Sequence, residues 1–416
     1  MKRLQSCGSV EHDFSRRQFL GGAIAGGVVG GLGALALPAA TKKLAKDQKR
    51  VLVIYMSGGL SQLESWDPKP KTSTGGPFRA IPTSVPGIHI SELLPLTAKH
   101  MDKLALVRGI NTRNGSHGNG RYHMLHGRNQ RPGIQLPSLG AVVAKAVENK
   151  ENPLPGHIRI PGGGRGSDAA YLGPKYASIG VSGPPRNSKR PGNITDAADK
   201  QRNAFRRKIN ERFASTRRNA QTDVYTYSYE SALELMKRRN VFDISKESPR
   251  DHDRYGKYNF GQHCLMARRL LENGVTFVQT SHSNYDTHNE NFNFHLDQSF
   301  STLVGDLHDR GMLDSTLIIV MSEFGRTPRI NPRYGRDHWG TAWSICLGGA
   351  NIARGAVHGK TNKTGTAVTD GMVDYGHLFH TYLGGIGMKS YSSFNIGGRK
   401  IPMADPAKKP IEELLT

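Results

Sequence analysis

The stretch Thr316–Gly340 constrains the fold of this chain more than any other part of it. Its first six residues, Thr316–Met321, are β-branched and apolar, the composition of a strand buried on both faces of a parallel sheet. Charge appears where this strand stops, and functional loops in open α/β sheets follow the carboxyl ends of strands. The candidates for a site are Glu323, Arg326, Asp337 and His338. A structural ion pair between Glu323 and Arg326 and a plain turn at Asp337–His338 form the alternative.

Short apolar runs alternate with helical patterns over most of the chain. Further strands are predicted at Val51–Met56, Leu104–Val107, Val275–Thr280 and Trp343–Leu347, and helices at Leu136–Val147, Phe260–Glu272 and Phe294–Arg310. This alternation predicts a single α/β domain over residues 51–416, with a central, mostly parallel sheet and helices on both faces. A basic helical insertion is predicted at about residues 186–245.

The N-terminus carries an export signal. Ser15-Arg16-Arg17-Gln18-Phe19-Leu20 fits the twin-arginine pattern and precedes Gly21–Leu37, an uncharged stretch rich in Gly and Ala. A retained transmembrane helix is the alternative, but so many glycines make a weak membrane span. We therefore expect a signal peptide over residues 1–40, a basic linker over 41–50, and a periplasmic or extracellular protein that meets the membrane only through its signal segment.

The chain is strongly basic, with a formal net charge of +23. Met1–Arg50 holds nine basic and three acidic residues, which leaves +17 on the rest. Arg186–Arg218 alone holds eleven basic and three acidic residues, so this segment is either a solvated charged face or a surface that binds polyanions. Because no nucleic-acid motif accompanies it, we do not expect a specific nucleic-acid partner.

Cysteine is sparse. Cys7 lies in the leader, and Cys264 and Cys346 lie in apolar or helical patterns. One disulfide is possible in an oxidising compartment, and two buried free thiols are the alternative that the apolar surroundings favour.

Two further loops carry residues suited to chemistry. The glycine-rich loop Asn114–Arg121 leads into a helical pattern and offers backbone N–H groups and a guanidinium to an oxyanion, or is only a surface turn. After the strand at Val275–Thr280, Asp286 and His288 are two residues apart, a spacing that lets both contact one cation. A chance Asp-x-His pair is the alternative. His295, Glu64 and Asp67 are weaker candidates that also fit ordinary loop or helix positions.

Several longer motifs together resemble a known family. They are MSGGLSQLESWDPKP, PSLGAVV, CLMARRLLENGVTFV, YDTHNENF, RGMLDSTLIIVMSEFGRTPRIN and GRDHWG. With the leader, they are similar to the twin-arginine-exported domain-of-unknown-function family 1501, which is grouped with the alkaline phosphatase and sulfatase superfamily. The resemblance covers nearly the whole chain and implies an alkaline phosphatase-like fold.

The resemblance also implies where chemistry takes place. His117 falls at the position of the superfamily's nucleophile with Ser116 beside it, and Arg121 and Arg128 keep the spacing of the sulfatase motif. Asp286, His288 and His338 match the residues that hold one metal ion. Ser57 and Glu323-Phe324 stand where ligands of a second metal are expected, which puts that metal in doubt. Cys264 has a sulfatase-like spacing to Arg268 but lacks the proline of the motif, so we expect no formylglycine there.

Two functions from different classes follow. The first is an exported hydrolase of sulfate or phosphate esters, acting on an anionic ester or a sulfated or phosphorylated glycan. It would use a divalent ion (Zn, Ca, Mn or Mg, not distinguished) held by Asp286, His288 and His338, with Glu323 or Asp337 in support. His117 or Ser116 would attack, and Arg121 and Arg326 would neutralise developing charge. The second is a catalytically degenerate protein of the same fold that binds polyanionic glycans.

Overall fold

An eight-stranded sheet forms the centre of the computed structural model, which describes residues 48–148, 152–162, 166–184, 192–217, 220–282 and 294–416. The strands are β1 Arg50–Met56, β2 Ala80–Pro82, β3 His89–Ser91, β4 Leu104–Ile110, β5 His157–Ile160, β6 Ile179–Gly180, β7 Phe277–His282, β8 Thr316–Met321, β9 Gly325–Arg326, β10 His338–Trp339, β11 Trp343–Gly348, β12 Ala356–His358, β13 Lys360–Thr361, β14 Val368–Asp370, β15 Ser393–Ile396 and β16 Arg399–Pro402. The central sheet has the order β12-β4-β11-β8-β1-β7-β5-β6, and the remaining strands form two-stranded pairs.

Helices cover both faces of this sheet. The α-helices are α1 Pro95–Ala98, α2 His117–His126, α3 Leu139–Ala146, α4 Asp196–Arg217, α5 Ala220–Lys237, α6 Pro249–Tyr255, α7 Asn259–Glu272, α8 Phe294–Asp309 and α9 Tyr375–Gly385. Short 3₁₀ helices lie at Met101–Lys103, Ala170–Leu172, Pro174–Tyr176, Arg239–Phe242, Ile244–Lys246, Leu313–Ser315 and Glu412–Leu414. Among the described residues, no helix combines the length and the apolarity that crossing a lipid bilayer requires.

The central strand β1 shows why the sheet is buried on both sides. All seven of its residues are buried, and successive side chains point to opposite faces. Val51 and Val53 join a core with α3 and α9, whereas Leu52 and Ile54 join a second core with α7 and α8. The prediction of a mostly parallel sheet with helices on both faces is therefore confirmed.

One strand departs from the parallel pattern. β11 runs antiparallel to both of its neighbours, β4 and β8, whereas β1, β7 and β8 pair in parallel. The predicted βαβ alternation up to Leu347 is wrong at this last step. No helix lies between β8 and β11, so the chain cannot cross over and returns along the sheet in the opposite direction.

The thiols of the described chain are buried and unpaired. Cys264 lies within α7 and Cys346 within β11, both inaccessible to solvent and free. Of the two alternatives for these cysteines, the free thiols are confirmed. The mid-helix position of Cys264 also agrees with the expectation that it does not carry a sulfatase-type modification.

Candidate functional site

The candidate site lies at the edge of the sheet where the parallel strands end. β1 ends at Met56, β7 at His282 and β8 at Met321, in matched register, so the loops after them leave the sheet side by side. The chain after β4 joins them, because it leads through Asn111 into helix α2. β11 is antiparallel and therefore starts at this same edge, which brings in the residues that precede it.

Glu323 is at the centre of this edge. It follows β8 directly and is only 2 % exposed. Its Oε1 accepts a hydrogen bond from the backbone N–H of Gly58 (2.9 Å) and lies 2.7 Å from Nδ1 of His117. Its Oε2 accepts from the Ser322 hydroxyl (3.1 Å). Both carboxylate oxygens are thus held, which makes Glu323 a residue that positions its neighbours.

His117 opens helix α2 and points into the site. Its side chain is 50 % exposed while its Nδ1 contacts the buried Glu323 carboxylate. Gly120, one turn further, makes this approach possible, because a Cβ there would lie 2.6 Å from the main-chain oxygen of Glu323. A carboxylate acceptor at Nδ1 fixes the proton on that nitrogen and leaves the lone pair on Nε2.

His338 lies beside His117. Its strand, β10, pairs with β9 as a short antiparallel ribbon, with His338 opposite Arg326. Nδ1 of His338 is 2.7 Å from the carbonyl oxygen of Gly115, and the His117 and His338 rings meet edge to face with centroids 4.6 Å apart. The structure therefore brings together His117, Glu323 and His338, three of the residues singled out from sequence.

Phe324 fills the space behind the two imidazoles. It is fully buried, and its ring centroid lies 4.9 Å from that of His117 and 4.2 Å from that of His338. Gly59, at φ +94°, makes room for it, because a Cβ at this position would lie 2.5 Å from the ring. An apolar ring therefore stands at one of the positions where the resemblance implies a ligand of a second metal ion, and Ser57, directly after β1, stands at another.

Arg121 and Tyr55 form the opposite side of the site. Arg121 is exposed, and its guanidinium lies over the Tyr55 ring at 5.4 Å from the centroid. Burial, followed by the nearby Glu323 carboxylate, raises the pKa of Tyr55 well above its ordinary value, so its hydroxyl stays protonated. Tyr55 was not among the residues predicted from sequence, because it stands inside an apolar strand with no motif of its own.

A cavity of about 250 Å³ continues from Arg121 between α2, α3 and β5. Its polar lining includes Arg121, Arg159, His126, Asp168 and Gln279. Ser116 lies at the mouth of the site as the residue before α2; it is exposed, and its hydroxyl does not cap the helix. Arg128, which keeps the sulfatase-like spacing, lies elsewhere and donates to the carbonyls of Pro402 and Ala404.

Arg326 lies beneath the loops of this edge. It is 3 % exposed, and its guanidinium donates to the carbonyl oxygens of Gly59 (2.9 Å), Arg336 (2.8 Å) and Gly58. Its own backbone pairs with the side-chain amide of Gln62. The Arg326 side chain therefore connects the loop after β1 with the loop before β10.

The other acids near this edge have structural partners. Glu64 is fully buried, and its carboxylate accepts two hydrogen bonds from the Arg336 guanidinium, at 2.6 and 2.9 Å, and a third from the Ser61 hydroxyl. Asp67 contacts Lys69 and Thr361. Neither is a ligand candidate in this arrangement. Among the described residues, Glu323 and Arg326 do not form the alternative ion pair with each other; a buried ion pair at this edge joins Arg336 and Glu64.

Asp337 lies in the loop rather than against Glu323. It is exposed, its carboxylate accepts from the Asn331 amide at 3.1 Å, and its backbone pairs with Thr327. These contacts shape the turn that presents His338. The expectation that Asp337 supports a metal ion stays a prediction.

The predicted metal pair, Asp286 and His288, lies outside the described residues, as do the predicted signal peptide at residues 1–40 and the linker up to residue 47. Within the described residues, no three His, Cys, Asp or Glu side chains converge as a metal-binding group. His282, the last residue of β7, and His295, which stacks on Tyr258 at 3.6 Å, lie on either side of the undescribed segment 283–293. His282 was not singled out from sequence, although its position at a strand end was a usable signal.

Fold and site together define an α/β protein whose polar residues gather at the carboxyl edge of a mostly parallel sheet. The sequence model of one family matches residues 48–415, almost the entire described chain. The chain therefore belongs to the family described as protein of unknown function, DUF1501. No curated protein matches it.

Three solved structures illustrate what the chain resembles. The PsFucS1 sulfatase from Pseudoalteromonas sp. is 14 % identical, with 90 % of this chain and 79 % of that chain covered and a TM-score of 0.38. A protein in the alkaline phosphatase superfamily from Vibrio parahaemolyticus is 11 % identical, with coverages of 82 % and 66 % and a TM-score of 0.34. The phosphonate monoester hydrolase SpPMH from Silicibacter pomeroyi is 11 % identical, with coverages of 82 % and 74 % and a TM-score of 0.32.

Proposed function

We propose that this protein is an exported hydrolase of sulfate or phosphate esters, with the His117–Glu323 pair at its reactive centre. The observation that carries the proposal is the 2.7 Å contact between Nδ1 of a half-exposed His117 and the buried Glu323 carboxylate. A histidine held by an acid through one nitrogen and exposed to solvent is the arrangement of a base or a nucleophile.

The chemistry follows from the orientation of the ring. In one route, Nε2 of His117 removes a proton from an attacking water, the bond from sulfur or phosphorus to the ester oxygen breaks, and the imidazolium gives the proton to the departing alcohol. In the other route, Nε2 itself bonds to the sulfur or phosphorus atom as the same ester bond breaks, the leaving oxygen takes a proton from water, and a second water then hydrolyses the histidine adduct. Glu323 holds the ring in position and stabilises the imidazolium that forms. The start of helix α2, whose first residue is His117, directs backbone N–H groups toward an anionic group.

Arg121 is the residue suited to neutralise the ester. It lies one helical turn after His117, on the same side of α2, and lines the adjacent cavity. A guanidinium there offers paired donors to the equatorial oxygens of a sulfate or phosphate group. Arg326, with its donors on main-chain carbonyls, is left out of this role.

The residue types at this edge fit a divalent ion. A histidine ligand is usually oriented by a backbone carbonyl or a carboxylate at its other nitrogen, and Nδ1 of His338 has such a partner in Gly115. His338 would hold the ion with Asp286 and His288, and the ion would polarise the ester. Glu323 would support the ion as a further ligand or through His117, whose Nδ1 it already contacts.

The test compares variants of the purified full chain in metal content and in turnover of aryl sulfate and aryl phosphate. We expect Glu323→Gln to lose about 10²- to 10⁴-fold in rate while keeping its metal, because the reactive ring loses its acceptor. His338→Ala should lose both the metal and the rate. Glu92→Gln and His89→Ala are matched controls at the β2–β3 ribbon and should behave like the wild type.

A catalytically inactive protein that binds anionic glycans is the second candidate. The fully buried Phe324, with Ser57 at the end of β1, favours it, because an apolar ring stands where a second set of ligands is expected. Equal turnover by the wild type and Glu323→Gln would mean that the measured activity is a contaminant. Metal-free protein that binds sulfated glycans without turnover would replace the hydrolase by this second function.

A further inference from the structure

Helices α4 and α5 form an antiparallel pair that we call the basic hairpin, residues 196–217 and 220–237. Arg206 and Arg207 on α4 donate hydrogen bonds to the Glu230 carboxylate on α5. The Asn210 side-chain amide donates to the Thr226 hydroxyl at 3.4 Å. These contacts define the inner side of α4. On α5, the Tyr227 hydroxyl donates to the carbonyl of Lys175 at 3.2 Å, which joins the hairpin to the rest of the described chain.

The outer side of α4 exposes large apolar side chains. Phe205, Ile209 and Phe213 recur every four residues, so they form one stripe over more than two turns, and they are 67 %, 47 % and 42 % exposed. With Tyr225 and Tyr229 of α5, five of the eleven exposed large hydrophobic residues in the described chain lie on this hairpin. Such a concentration marks an interaction surface.

Cations border the stripe. α4 holds seven Lys and Arg residues and three acids, and the exposed Lys208 and Arg212 fall on one flank of the stripe at 100° per residue. On the side toward α5, the Arg206 guanidinium lies 4.5 Å from the centre of the Tyr229 ring. Apolar rings edged by cations and tyrosines are the composition of a helix that lies in a membrane surface.

We propose that the basic hairpin docks on the surface of an anionic phospholipid bilayer. Its phenylalanine and isoleucine side chains would enter the boundary of the acyl chains, and its lysines and arginines would meet the phosphates. A second copy of the chain fits poorly, because stripe-to-stripe contact would bring the same cations of both copies together. A sulfated glycan would satisfy the cations but leave Phe205 and Phe213 in water.

The proposal departs from the sequence-based expectation that only the signal segment meets the membrane. It is also independent of the hydrolase proposal, because none of the hairpin residues lies in the candidate site. Docking would hold the site near the membrane whether or not the site turns over an ester.

A fluorescent label on the hairpin tests the proposal. The full chain with Cys7→Ser and Thr216→Cys carries one reactive thiol, since Cys264 and Cys346 are buried. Thr216 is exposed and lies along the stripe, and an environment-sensitive dye there should brighten and shift to the blue with phosphatidylcholine–phosphatidylglycerol vesicles. Phosphatidylcholine alone should give a small response, and added salt should weaken the response to the anionic vesicles.

The matched controls separate the hairpin from the leader, which all variants share. Phe205→Ser with Phe213→Ser should weaken the vesicle response on the order of tenfold or more, without loss of fold by circular dichroism. The same dye at Lys363→Cys, in the exposed turn between β13 and β14, should not respond. The proposal is overturned if the label at position 216 ignores anionic vesicles or responds equally in the double serine variant. A response to dextran sulfate or to protein concentration without lipid would also overturn it, in favour of a glycan or a second copy.

Discussion

Arg326 is nearly inaccessible to solvent, and its guanidinium contacts three main-chain carbonyls from loops on both sides of it. Arg121 is exposed and contacts the face of one tyrosine ring. The two side chains have the same chemistry but different partners. This difference separates a residue that stabilises the loops from one that is available to a substrate.

We expect Arg326→Lys to lower the free energy of unfolding by about 3 kcal/mol, because a lysine cannot reach the three carbonyls together and leaves some unpaired. Arg121→Gln should change stability by less than about 1 kcal/mol and lower kcat/KM for the ester about 100-fold. Urea unfolding and steady-state kinetics measure the two quantities. A stable but inactive Arg326→Lys protein would show that Arg326 takes part in the reaction and does not only stabilise the loops.

Residue types alone could not assign these partners. Glu323 and His338 were identified from sequence because charge follows a strand end, and they do lie together. Glu64 carries the same signal but is enclosed with Arg336, 272 positions away. Which acid faces the site and which is enclosed depends on packing that no local pattern encodes.

At the scale of the secondary structure, helix α2 carries His117 toward Glu323 through a glycine. Gly120→Ala would place a Cβ 2.6 Å from the carbonyl oxygen of Glu323. The Cβ of Gly118→Ala would have no neighbouring atom within 4 Å among the described residues. We expect Gly120→Ala to displace the helix and lower turnover at least about tenfold. Gly118→Ala should retain its turnover and gain up to about 1 kcal/mol of stability, because alanine favours the helix. Equal activity of the two variants would contradict the role of this close approach.

Strand β5 contributes a buried histidine that makes stability depend on pH. Burial lowers the pKa of His157 to about 4, below the ordinary value of 6.5 in the unfolded chain. The unfolded state therefore binds more protons as the pH falls below 6.5, and the stability held by neutral His157 is lost as the pH approaches 4.

Through this residue, lowering the pH from 7 to 5 should reduce the free energy of unfolding by about 2 kcal/mol. His157→Gln keeps a donor for the Tyr176 carbonyl but does not titrate, so its free energy of unfolding should fall less over the same range. Chemical unfolding at the two pH values measures the difference. An identical pH dependence in both proteins would show that His157 is not responsible.

Most strands and helices of the central sheet were predictable because their apolar periodicity is strong. Thr316–Met321 has the predicted bounds, and Asn259–Glu272 begins one residue before the predicted helix. The direction of β11 was predicted wrongly as parallel. Direction depends on the connection rather than on the strand, and the stretch 322–342 contains no helical pattern long enough for a crossover.

At the scale of the whole molecule, one sheet joins two cores. Cys264 and Cys346 both belong to the core that contains α7 and α8, although they come from a helix and a strand. Burial raises the pKa of both thiols well above the ordinary range. Their reactivity therefore depends on opening of this core.

In a Cys7→Ser chain, we expect both thiols to resist a soluble disulfide reagent in the native state. They should become reactive together at the urea concentration where circular dichroism reports unfolding, because both sit in the same core. Thiol labelling followed by mass spectrometry of peptides distinguishes the two sites. Labelling of one site well before the other would show that the core opens in parts.

The reversed direction of β11 has one more consequence. The segment 322–342 departs from the sheet and rejoins it on the same side without passing over a packed layer, so its length is not tied to the dimensions of any helix. Insertions or exchanges at its exposed tip, residues 332–334, should therefore leave the sheet intact, provided that Arg336 keeps its buried contact with Glu64.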